Sequence, residues 1–127
     1  ENYIMIDVGI SSQKAYNDMS EWLNNNQPPR ALLADNDVIA TACTRALKAH
    51  GYRIPEDVAV IGFDNMPLCS MVEPPLTAID VDKEMIGKTA VNLLHNRIAE
   101  FYSGAESIND GTLLVYVSTK LVERETT

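Results

Sequence analysis

Positive charge, histidine, glycine-rich loops and long apolar runs are all scarce in this chain, and each scarcity removes a class of function. Ten Lys and Arg stand against eighteen Asp and Glu in 127 residues, a net charge of -8. Such a balance repels a phosphate backbone, so these residues by themselves are not expected to bind DNA. No apolar run approaches the ~20 residues of a membrane helix, and no charged-then-apolar leader opens the sequence. Cys43 and Cys69 are too far apart for a paired metal motif and too few for a disulfide framework, which suits reduced thiols in a cytoplasmic protein. His50 and His95 have no second ligand at metal spacing and read as surface residues. There is no G-x-S-x-G and no phosphate-cradling glycine loop, so no nucleophile stands beside a base and no cofactor is expected.

What is present is an ordinary globular composition, 46% apolar and 22% charged. A chain of this length can bury roughly two thirds of its unfolded surface, as one domain or as a piece of a larger one. Tyr3 to Val8 reads as a strand closed by Gly9. Ser11 or Ser12 then caps a helix whose apolar set is Ala15, Tyr16, Met19, Trp22 and Leu23, ended by Asn24 to Gln27 before Pro28-Pro29. Ala31 to Ala34 reads as a second, buried strand. Asp35-Asn36-Asp37 closes it and opens a helix with Val38, Ile39, Ala42, Ala46 and Leu47 on one face, stopping at Gly51.

Val58 to Phe63 is an apolar run without alternation, the signature of a strand covered on both faces of a parallel sheet, and it ends abruptly in Asp64-Asn65. Strand, helix, strand, helix, strand is the order of a parallel α/β sheet. Met66 to Pro75 has too many prolines for a helix and too many apolar side chains for a solvated loop; Met66, Leu68, Met71 and Val72 need the core or a partner to cover them. Ala78 to Val81 is extended. Asp82 caps a long helix through about Phe101, with the stripe Ile86, Ala90, Leu93, Leu94, Ile98 and Phe101. Ser103 to Gly111 reads as a polar loop, Thr112 to Val117 and Leu121-Val122 as final strands, and Glu123 to Thr127 as a solvated tail.

Two arrangements carry chemistry. Asp35 and Asp37, two residues apart at a strand end, resemble the magnesium-binding pair of haloacid-dehalogenase-like phosphotransferases; helix capping explains them without a metal. Asn36 and Asp64 lie at the carboxyl ends of successive parallel strands, where ligands collect in open α/β sheets. An amide and a carboxylate together suit the hydroxyls of a sugar or the ring nitrogens of a base, and binding fits better than catalysis. Capping a helix and a turn is the alternative for the same two residues.

The strings R-A-L-L-A-D-N-D-V-I-A (30–40), R-A-L-K-A-H-G-Y-R-I-P-E-D-V-A-V-I-G-F-D-N (45–65), P-P-L-T (74–77) and V-S-T-K-L-V-E-R-E-T-T (117–127) resemble the effector-binding domain of bacterial repressors related to the lactose, galactose and purine repressors. The resemblance implies a periplasmic-binding-protein-like type I fold, an α/β three-layer parallel sheet flanked by helices, present here as a fragment. Residues 1–79 would form most of the distal lobe, 80–116 a crossover and a helix belonging with the absent proximal lobe, and 117–127 a return strand and tail. Asp64 and Asn36 fall at family positions that contact the effector. Ile10 falls where relatives stack an aromatic ring, and its aliphatic side chain implies an effector that is not flat and tightly stacked. Val81 and Lys83 fall on the last crossover, also facing the ligand. A homodimer surface is implied at Thr41, Thr44, Arg45 and Lys48, with Met66, Leu68, Met71 and Val72. The implied role is a cytoplasmic, non-enzymatic module binding a sugar-type effector, with operator DNA held by a headpiece that these residues do not include. A periplasmic sugar- or solute-binding protein of the same fold is the alternative.

Overall fold

Ser11 is the N-cap of the first helix, its Oγ accepting from Lys14 N at 3.3 Å, and the helix α1 runs Ser12–Leu23 with Ala15, Met19 and Leu23, spaced by four, as its buried face. In this computed structural model, residues 3–103 and 113–127 are described. After α1 come β1 (Ala31–Leu33), α2 (Asp37–Ala49), β2 (Ala59–Asp64), a 3-10 turn at Pro67–Ser70, β3 (Thr77–Val81), α3 (Lys83–Ser103) and β4 (Thr119–Val122). The strands form one sheet in the order β1-β2-β3-β4, with β1–β2 and β2–β3 parallel. Leu33 stands opposite Ile61, and Asp64 opposite Asp80.

Local chemistry explains both ends of α2. Asn36 caps it, Oδ1 accepting from Ile39 N at 2.9 Å, and Gly51 leaves it at φ 88°, a conformation that costs glycine no Cβ clash. Before β2, Arg53 forks onto Asp57, Nη2 to Oδ1 at 2.7 Å and Nε to Oδ2 at 2.9 Å. Those bonds hold the Asp57 carboxyl down to about 2. The core lies where α1 packs on α2 and α2 on β2; Met19, Leu47, Val58, Val60 and Leu76 are its largest fully buried apolar side chains.

Several sequence expectations are corrected. Tyr3 to Val8 is not a strand. Ile6 and Val8 pack on the core while Tyr3, Ile4 and Met5 face solvent, so the apolar pattern is met by packing, without a hydrogen-bonded neighbour. Among the described residues β1 is therefore a sheet edge, and Leu33 is 67% exposed where a buried strand was expected. Met66 to Pro75 contains a helical turn after all, because Pro67 occupies its first position, where a missing N–H is harmless. Residues 113–117 form no strand: β propensity supplies no pairing partner. The expected loop at 104–111, and Thr112, lie outside the described residues. The tail is solvated only in part: Glu123, Glu125 and Thr127 are exposed, while Thr126 is fully buried.

The chain divides into two compact units, Glu1–Asp80 with Lys120–Thr127, and Val81–Thr119. In the second, Asp82 caps α3 by accepting from Met85 N at 2.8 Å, and no residue of α3 is buried. The stripe at Ile86, Leu93, Leu94, Ile98 and Phe101 is exposed along its length.

Candidate functional site

β1 and β2 are parallel neighbours, so the turns that follow them leave the sheet on the same side. Asn36 lies in the first turn and Asp64 ends β2, which brings the amide and the carboxylate to one edge of the sheet. Asn36 already spends Oδ1 on its helix cap, which leaves its NH2 group as the donor toward a ligand.

Asp64 and Asn65 have φ of 100° and 51°, the non-glycine residues at positive φ among those described. Left-handed backbone of this kind persists only where the surroundings hold it. Asp37, wholly buried, accepts from Met66 N through Oδ2 at 2.6 Å, tying the start of α2 to the turn after β2. Its Oδ1 has no hydrogen-bond partner among the described residues, and the Asp37 carboxylate neighbours the Cys69 thiol. Burial first, and then Asp37, push that thiol up to about 11; burial alone pushes Cys43 up to about 11. Neither is a poised nucleophile.

Asn65 is held from two sides. Its Oδ1 accepts from Arg124 Nη2 at 2.7 Å, and its Nδ2 donates to Asp80 Oδ1 at 3.1 Å. Arg124 is itself fixed, Nη1 donating to Leu76 O at 2.6 Å and its backbone N to Thr77 Oγ1 at 2.8 Å. Sequence reasoning missed Asn65, Asp80 and Arg124 as a group: the tail carries no apolar signal, and its partners lie far away in sequence.

Of the other predicted ligand contacts, Ile10 belongs to the first unit and Val81 and Lys83 to the second. Ile10 is 87% exposed, just ahead of the Ser11 cap. Val81 closes β3, and Lys83, at the start of α3, donates to Val81 O at 3.3 Å. A cavity of about 410 Å³ in the first unit lies between Ile4–Val8 and β1 and is backed by Met19, Ile39 and Cys43. None of the predicted contacts lines it. Its lining is mostly aliphatic, with the carboxylates of Asp7 and Asp35 among it.

Of the predicted dimer residues, Thr41, Thr44, Arg45 and Val72 line a hollow of about 160 Å³ with Glu73, Pro74, Leu76 and Thr126. Thr44 is corrected from an outward position: it is 7% exposed and its hydroxyl donates to Ala40 O at 2.9 Å. Arg45 lies 5.2 Å from the Tyr16 ring centre, and Lys48 Nζ donates to Glu73 O at 3.1 Å, so both lean back onto the unit. Met66 and Met71 are exposed, Leu68 is half-buried, and Val72 packs on the core.

The sequence matches the periplasmic binding protein-like domain over residues 2–127. It is 42% identical over 78 residues to the HTH-type transcriptional repressor PurR of Aliivibrio fischeri, covering 61% of this chain and 23% of that protein. A structure of a regulator of the LacI family from Sanguibacter keddieii superposes with a TM-score of 0.85 at 28% identity, covering 96% of this chain and 45% of that one. A LacI family regulator from Arthrobacter, solved in complex with lactose, superposes with a TM-score of 0.77 at 31% identity, covering 94% and 42%.

Proposed function

Because the chain belongs to the periplasmic binding protein-like domain family, we propose that it is the effector-binding and dimerisation module of a bacterial DNA-binding transcription regulator, with a sugar-type small molecule as effector. One observation carries the reading: a carboxylate, Asp64, ends β2 on a left-handed turn, and an amide, Asn36, lies in the turn that follows the adjacent parallel strand β1. The lactose complex of the Arthrobacter relative supports a saccharide.

The relatives support a regulator rather than an enzyme. So does Asp37, whose burial and bond to Met66 N are the duties of a structural carboxylate, while Asp35 is exposed. The chain spans 23% of the PurR relative. The proposal therefore assigns residues 1–79 and 117–127 to a distal lobe, 80–116 to a crossover and a helix belonging with a proximal lobe, and operator binding to a headpiece elsewhere in the intact protein. No helix among the described residues is long and apolar enough to cross a membrane, and the cytoplasm is the compartment where such a regulator acts. Homodimerisation is assigned to Thr41, Arg45, Lys48 and the Met66–Val72 surface.

The test is a thermal-shift screen of mono- and disaccharides and nucleobases on the intact protein, followed by isothermal titration of each hit. A ligand at a hundredfold excess over its Kd adds about 2.7 kcal/mol of stability, several degrees in midpoint. Asp64→Ala is expected to abolish the shift. A saccharide that binds Asp64→Ala as tightly as wild type would remove Asp64 from the site.

A further inference from the structure

We propose that Arg124, from the C-terminal tail, is the positioning residue for Asp64. It holds Asn65, and Asn65 holds the left-handed turn that presents the Asp64 carboxylate. The inference rests on Asp64 being the ligand carboxylate, and it adds a residue 59 positions away from Asn65 to the machinery of that site.

A guanidinium only donates and an ionised carboxylate only accepts. Asn65 lies between the two, with Arg124 Nη2 on its Oδ1 at 2.7 Å and Asp80 Oδ1 on its Nδ2 at 3.1 Å. The amide therefore has one permitted orientation, and a flipped amide would set NH2 against guanidinium and oxygen against carboxylate. Asp80 is the cross-strand partner of Asp64, so the Asn65 side chain folds the turn back onto β3 beside the residue it presents. Arg124 can act as a fixed post because Leu76 O and Thr77 Oγ1 hold it, and because buried Thr126 pins the tail two residues further on. On the other side of the turn, Asp37 takes Met66 N. Two successive non-glycine residues at positive φ need such bracketing. Asp80 is also the last residue before the chain passes into the second unit at Val81, so the held turn and the departure point share one side chain.

The experiment uses the full-length protein without any effector and reads amide hydrogen exchange by NMR. Arg124→Met keeps the stem and removes the donors; Asn65→Gly accepts φ 51° and removes the amide. Each is expected to speed exchange of the Asp64–Met66 amides about tenfold or more, the loss of one charge-assisted bond, while Val60 and Ala78 exchange as in wild type. In Arg124→Met the Asn65 side-chain NH2 signals collapse toward their free-amide positions, which general destabilisation would not produce while the core amides stay protected. The double variant is expected to exchange no faster than Asn65→Gly alone, because both act through one side chain. Wild-type exchange of the turn in either variant, or additive effects in the double variant, overturns the proposal. Should Arg124→Met not fold, Asn65→Gly decides by its exchange alone. These readouts contain no ligand, so a saccharide screen without hits would count against the site while leaving the relay result standing.

Discussion

Asp37 has no solvent exposure, yet it is a carboxylate, and its position depends on what Gly62 lacks. A Cβ on Gly62 would overlap Asp37 Oδ1 and meet Leu76 Cδ2 at 3.0 Å. Overpacking of this kind costs about 1–3 kcal/mol. Gly62→Ala is therefore expected to lower the urea midpoint correspondingly with an unchanged slope, measured by circular dichroism; wild-type stability would mean that Asp37 moves aside freely. Asp64 and Asn36 were legible as candidates because a polar residue ending an apolar run marks the tip of a buried strand. Asp37 was legible only as an acidic helix start. Its bond to Met66 N crosses 29 residues, and no local pattern announces it.

The C-terminal tail is the element whose reading changed most. V-E-R-E-T-T is charged and polar and reads as solvated, but Thr126 Oγ1 donates to Val60 O at 2.7 Å and accepts from Thr77 N at 2.9 Å. One hydroxyl satisfies two buried backbone groups of β2 and β3. Thr126→Val keeps the shape and strands both groups, which costs about 1–3 kcal/mol per unsatisfied group. A lower thermal midpoint is expected for Thr126→Val and near recovery for Thr126→Ser; equal midpoints for valine and wild type would assign the hydroxyls of the tail no structural duty. The opposite error occurred at Tyr3 to Val8, where apolar residues suggested a strand. Hydrophobicity reports burial and is silent on pairing, so it overstated structure at one end and understated it at the other.

Across the whole chain, the two units differ in how they are stabilised. The first has a core of α1, α2 and the sheet; α3 in the second has no buried residue. An apolar stripe of five large side chains left in water favours association. The 127-residue chain is expected to self-associate with rising concentration in sedimentation velocity runs, and Leu94→Glu with Ile98→Glu should shift it toward monomer without loss of helicity. A strictly monomeric chain at high concentration would show that the stripe needs no cover. The parallel α/β order, the caps at Ser11, Asn36 and Asp82, the stop at Gly51 and the strand-end pair Asn36 and Asp64 follow from the sequence by itself, because each depends on neighbours a few residues away. Tertiary structure alone decided that Tyr3 to Val8 stays unpaired, that Thr126 is buried, and that Arg124 reaches Asn65. Those outcomes depend on which polar groups of backbone and side chain remain to be satisfied once the sheet has formed, and the partners that satisfy them lie 59 and 66 residues apart along the chain.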